Sequence, residues 1–256
     1  MLEFDRGMPT ETERFTVLEV ARQVASQMVP INANFSFFST TPIVDEDLRQ
    51  YVHEPVAAVP PALMKILPRV GLLLVPFLEE SPGRSPALVA FDRPEPARSL
   101  AASEVFVDER PTIAISTSGI DMSEYHYTFY DAISSIVVRR APASLVTGFA
   151  ELLREEIDNH VHGEVREESW AAKQKYLHRS AGNGKRESTL WKAYLEQSLR
   201  DTLTLFLHGI CCDIDVEAGP RQLASRYIRK RLELCKTVFP LPEGYALFPE
   251  QVRKRK

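Results

Sequence analysis

Residues 155–169 read EEIDNHVHGEVREES, two histidines among six acidic side chains, a donor mixture that suits zinc, iron or manganese. On one helix over 149–168, Glu156, His160 and Glu164 recur at every fourth residue and form a single stripe. Those three could hold the Zn or Fe of a metal-dependent hydrolase or oxidase, with His126 or His208 contributed by another helix. His160 and His162 point about 200° apart on the same helix, so one ion cannot take both unless the backbone there is extended. Gly163 weighs against an unbroken helix. The favoured alternative needs no cofactor: Glu155, Glu156, Asp158, Glu164, Glu167 and Glu168 are solvated charges, with Arg154 and Arg166 as local ion-pair partners. The paired Glu-x-x-His motifs of di-iron helical bundles do not occur.

Basic residues give a second candidate. ASRYIRKRLELCK places Arg226, Arg229, Lys230 and Arg231 on one helix, and a basic tail over 250–256 ends in VRKRK. A patch for an acidic partner is one reading, and a solvated helix face with a frayed tail is the other. The whole chain has a net charge of −4 and a pI near 5.9, so nucleic acid is not expected as the main partner. Cys211, Cys212 and Cys235 lack CxxC spacing, which predicts buried thiols, with a vicinal Cys211–Cys212 redox pair as the sharper alternative.

Other motifs fail on spacing. Ser134 and Ser135 lie within a helical pattern and not at a G-x-S-x-G elbow. AGNGKRES at 181–188 lacks the P-loop interval. DIDVEAG at 213–219 lacks the later ligands of a calcium loop and reads as a turn.

The elements that must position these residues fall into two groups. Apolar positions from Phe15 to Met28 recur at three and four, predicting an amphipathic helix closed by Pro30. NFSFFSTTP predicts a strand, and DEDLRQYV and PPALMKIL predict helix starts. VGLLLVPFLEE, ALVAFDRP, SEVFVDE and PTIAIST predict strands, with proline-rich turns between them. From Asp121 onward the period becomes helical: YHYTFYDAISSIVV carries Phe129, Ile133, Ile136 and Val137 on one face, and three more helical segments follow. The expected fold is α+β, one domain over 1–256, with a small mixed β-sheet over about 10–120 and a large helical half over about 121–240. AGNGK at 181–185 is expected to link helices.

The opening MLEFDRGMPTETERF lacks the apolar run of a secretory signal, and VGLLLVPFL at 70–78 is about half the length needed to span a bilayer, so a cytoplasmic protein is expected.

Three segments in series resemble the gluzincin-type zincin metallopeptidases. PTIAIST, as an edge-like strand before a buried helix, is similar to that family's substrate-side strand, TFYDAISSIVVRR resembles its metal-binding helix, and LVTGFAELLREE resembles its W-L-x-E-G-F-A-E-Y segment. The resemblance covers residues 10–160 and places the H-E-x-x-H positions at Ser134, Ser135 and Val138 and the third ligand at Thr147. None of these is a good zinc ligand or base, so peptidase chemistry does not carry over. The resemblance implies a non-catalytic or regulatory protein that binds a protein or peptide, in a groove beside PTIAIST, on a scaffold that has lost its metal. No oligomeric state follows from the sequence.

Overall fold

The computed structural model describes residues 15–81, 86–178, 184–211 and 221–248, with 184–187 described by backbone alone. The chain is α+β and divides into two compact units. One comprises residues 1–43 and 69–120, the other 44–68 and 121–256. Residues 44–68, expected within the sheet-containing part, therefore belong with the helices.

In the first unit, helix α1 (Val17–Val24) starts at a capping box: Glu19 N–H donates to the Thr16 hydroxyl, and the Glu19 carboxylate accepts from Thr16 N–H. Its buried stripe, Val17, Ala21 and Val24, packs with Leu73, Val75, Val105 and Ala114 of the sheet. That sheet has the order β1 (Val29–Pro30), β2 (Phe35–Ser39), β3 (Val70–Val75), β8 (Arg110–Ser116), β7 (Ala102–Val107). β2, β3 and β8 run parallel, and β1 and β7 are antiparallel at the two edges. β3 is buried at all six residues, as expected for a parallel strand covered on both faces. A three-stranded antiparallel sheet, β5 (Leu88–Ala90), β4 (Phe77–Glu79), β6 (Ser99–Leu100), completes the unit.

PTIAIST differs from the expectation of an edge. β8 pairs with β3 on one side and β7 on the other, and it is buried from Pro111 to Ser116, because the preceding SEVFV segment folds back on it through a hairpin. The edge strand is β7.

In the second unit, α2 (Asp45–Leu48), a π-helical turn (Arg49–His53) and α3 (Glu54–Ala57) run on continuously, followed by α4 (Pro61–Met64). Helix α5 (Met122–Val138) is capped by Asp121, whose carboxylate accepts from Glu124 N–H, and Phe129, Ile133, Ile136 and Val137 are buried on it. α6 (Ala143–Asp158), α7 (Glu167–Leu177), α8 (Gly184–Cys211) and α9 (Ser225–Val238) follow. α8 packs against α5, α6, α7 and α9 and is the central helix of this unit. Gly184 and Lys185, expected in a link, begin it, whereas residues 181–183 lie outside the described residues. Among the described residues, no helix is long and apolar enough to cross a membrane.

Candidate functional site

The helix expected over 149–168 is two helices with a loop between them. α6 stops at a Schellman motif: Val161 N–H donates to the Glu156 carbonyl, His160 N–H donates to the Ile157 carbonyl, and His160 takes the left-handed conformation at φ 53°. The chain then runs out to Gly163 and Glu164, where Glu164 forms a parallel bridge with Gln222. Glu164 N–H donates to the Arg221 carbonyl at 2.9 Å and Leu223 N–H to the Glu164 carbonyl at 3.0 Å. Only glycine fits before it, since a Cβ on Gly163 would lie 2.2 Å from the Gln222 carbonyl oxygen.

This route corrects the reading of Glu156 and Glu164 as solvated charges. They are 2% and 1% exposed, and both bind the guanidinium of Arg231, which is 0% exposed. Arg231 Nε donates to Glu156 Oε1 at 3.0 Å and Nη2 to Glu156 Oε2. Nη1 and Nη2 donate to Glu164 Oε2 and Oε1 at 2.8 and 3.0 Å, and Nη1 also reaches Ser198 Oγ at 2.9 Å. These five bonds use all five guanidinium N–H groups. Tyr194 and Ser198 of α8 donate to Glu164, and Lys173 Nζ lies 3.3 Å from its Oε1 while donating to the Gly163 carbonyl. Two carboxylates, one guanidinium and one ammonium leave the cluster neutral, which makes its burial tolerable.

Burial alone would raise the Glu164 carboxyl, but the charge and hydrogen bonds of Arg231 outweigh it and hold the group down at about 2. Burial lowers the Lys173 ammonium despite Glu164, and it raises the Tyr194 phenol further above its ordinary range.

The stripe Glu156, His160, Glu164 is thus not one face. The carboxylates converge on Arg231, whereas His160 is exposed at the helix stop and His162 is exposed in the loop. Among the described residues no group of three His, Cys, Asp or Glu side chains has a metal-holding arrangement. Glu155, Asp158, Glu167 and Glu168 are exposed, as expected. Arg154 lies over the Trp191 ring, and Arg166 reaches across to Asp131 at 3.1 Å.

The basic patch also changes. Arg231 sits in the interior, Lys230 donates to Glu155 at 2.8 Å, Arg229 lies 4.1 Å from the centroid of Phe248, and Arg226 lies over Tyr227. Arg231 falls on the apolar stripe of α9 with Ile228, Leu232 and Cys235, and Glu156 falls on the stripe of α6 with Phe149 and Leu153. Charged residues on core-facing positions were the available signal that the two would meet. The tail 250–256, DIDVEAG and Cys212 lie outside the described residues.

At the positions marked by the zincin resemblance, Ser134 and Ser135 lie within α5, Val138 ends it, and Thr147 lies exposed on α6. The Ser134 hydroxyl is buried without a hydrogen-bond partner. Another orphaned polar atom is Oδ2 of Asp201 on α8, a carboxyl that burial pushes up to about 6.

A second cluster joins α5 to α8 and to the π-helical turn. Pro55 has no N–H to offer the carbonyls of Gln50 and Tyr51, and α5 supplies donors in its place. His126 Nε2 bonds to the Gln50 carbonyl at 2.9 Å and Tyr125 donates its hydroxyl to the Tyr51 carbonyl at 2.9 Å. The other ring nitrogen of His126, Nδ1, faces Cys211 Sγ at 3.6 Å. His208 Nε2 lies 3.4 Å from Ser123 Oγ, and its ring meets the edges of Tyr127 and Tyr130. Burial opposes the charged form of His126, but the Cys211 thiol and the Gln50 carbonyl more than offset it and raise its pKa. Burial lowers that of His208. Cys211 is partly exposed, whereas Cys235 is buried and its thiol is pushed up to about 12, first by desolvation.

Comparison with known proteins adds no relative: no family model, curated protein or solved structure matches the chain.

Proposed function

We propose that this chain is a non-catalytic binding protein on a zincin-like scaffold that takes an extended peptide of a protein partner as an added strand. Support for the scaffold comes from the order of elements, a helix and a mixed sheet ahead of α5 and α6, in keeping with the layout that the sequence resembles. Ser134, Ser135, Val138 and Thr147 carry neither imidazole nor carboxylate, so those positions offer nothing to activate water. The alternative metal ligands Glu156 and Glu164 are already engaged by Arg231.

The observation that carries the binding reading is the edge formed by β7. Its hairpin to β8 turns at Asp108 and Glu109, both at positive φ, so Val107 and Arg110 close a two-residue turn and form a hydrogen-bonded pair. Alternation along the ladder then makes Phe106 opposite Pro111 a non-hydrogen-bonded pair. The N–H and C=O of Ala102 and Phe106 consequently point away from β8. β7 is the last strand in the sheet order among the described residues, and Phe106 is 51% exposed. A strand of this kind accepts a peptide by main-chain hydrogen bonds. The partly exposed thiol of Cys211 fits the reducing cytoplasm, which is the expected location.

Selection from a library of random peptides displayed on phage, followed by titration of the selected peptides, tests this. Phe106→Pro removes an outward N–H while sparing the β8 ladder, and it is expected to weaken selected peptides at least about tenfold with the melting temperature nearly unchanged. Peptides that bind wild type and Phe106→Pro equally, or a selection that yields no binder, would overturn the reading.

A further inference from the structure

We infer that Cys211 is a reactive thiol activated by His126 and oxidised by small hydroperoxides to a sulfenic acid. The inference rests on how the imidazole is held. Nε2 of His126 lies 2.9 Å from the Gln50 carbonyl oxygen, which can only accept, so the proton of the neutral ring resides on Nε2. Nδ1 is then the basic nitrogen, and it faces the Cys211 sulfur at 3.6 Å, within reach of an S–H donor. A nucleophile, a base and a third group that orients the base form the arrangement that activates a thiol. Pro55 is its structural origin, since the missing amide leaves the Gln50 carbonyl for the imidazole.

The base is also supplied with a stable charged state. When Nδ1 takes the thiol proton, the imidazolium keeps its Nε2–H on the Gln50 carbonyl, with Glu54 adding a favourable charge. The neighbouring His208 ring is disfavoured as a cation by its own burial and by His126. Proton transfer therefore creates one cation beside the thiolate and not two competing ones.

The position of the sulfur selects the co-reactant. Cys211 lies in the last described turn of α8, whose own backbone amides are spent on the helix, so α8 itself gives no amide donors to an acyl oxyanion. A hydroperoxide makes a smaller demand, a nucleophilic sulfur and one proton for the leaving oxygen. The thiolate attacks one peroxide oxygen and forms an S–O bond as the O–O bond breaks. The departing hydroxide, or alkoxide from an organic hydroperoxide, takes the proton from His126 Nδ1 and leaves as water or alcohol. Sulfur is oxidised by two electrons, the peroxide is reduced by two, and His126 returns to its neutral form.

Full-length reduced protein is treated with hydrogen peroxide at neutral pH and trapped with dimedone, and the adduct is located by peptide mass spectrometry. Cys211 is expected to label at least about tenfold faster in the folded chain than in the same chain unfolded in guanidinium, because unfolding removes the general base. Cys235 is expected to stay unlabelled while folded. His126→Gln, which keeps a donor toward Gln50 and loses the base, is expected to bring the Cys211 rate down to the unfolded value while circular dichroism reports a native fold. Equal rates for folded and unfolded wild type would overturn the inference even if that variant fails to fold. It also falls if folded His126→Gln labels at the wild-type rate or if the folded adduct is on Cys212 in place of Cys211.

Discussion

Arg231 and Glu164 form a two-bond ion pair inside the helical unit, with Nη1 to Oε2 at 2.8 Å and Nη2 to Oε1 at 3.0 Å. The same guanidinium holds Glu156 through Nε and Nη2, so one arginine on α9 ties the end of α6 to the loop that follows it. The acidic stripe with metal-ligand spacing is an internal clasp.

Removing the centre of the clasp is more damaging than removing a rim charge. Arg231→Leu leaves Glu156 and Glu164 buried with only Lys173 to compensate, and it is expected to cost about 3–5 kcal/mol in urea unfolding. Arg226→Ala, on the exposed side of α9, is expected to change stability by less than about 0.5 kcal/mol. Equal, small effects for the two would show that Arg231 is not buried on its partners.

Glu164 also gives stability an acid limb. Its folded pKa is depressed to about 2 from an ordinary 4.5, so its contribution is fully present above about pH 4.5 and is lost as pH falls toward 2. Asp201, raised to about 6, works in the opposite sense, favouring the folded state as pH falls from 6 toward 3.8. Comparing wild type with Glu164→Gln cancels the Asp201 contribution. The stability difference between them is expected to be constant above about pH 5 and to shrink by an amount on the order of 3 kcal/mol toward pH 2. A difference independent of pH would contradict the ion pair.

The loop between α6 and α7 makes two opposite expectations for neighbouring residues. His160 holds a left-handed backbone that glycine adopts without steric cost, so His160→Gly is expected to stabilise by about 0.5–1 kcal/mol. Gly163→Ala drives a methyl into the backbone of Gln222 and is expected to destabilise by at least about 2 kcal/mol. Thermal and urea unfolding of the two variants check the signs. A metal ligand at position 160 would reverse the first, with loss of stability on adding glycine.

Local pattern in the sequence determined the α+β class, the strand segments from NFSFF to PTIAIST, and the core face of α5 through Phe129, Ile133, Ile136 and Val137. Those signals are local because the hydrophobic period reports only which side of an element meets a core. The helix stop at His160 was not legible, since left-handed caps favour glycine or asparagine and the acidic run continued the helical pattern past it. Glu156 and Arg231 stood on the apolar stripes of their own helices, but they are 75 residues apart, and Glu164 is 67 from Arg231. Their pairing depends on how α6, α8 and α9 pack and on Gly163 letting the chain close against Gln222, so the tertiary structure alone decided that these carboxylates face an arginine and not water or an ion. The same holds for Cys211 and His126, 85 residues apart, which meet because α5 and α8 lie side by side and Pro55 leaves a carbonyl for the imidazole to grip.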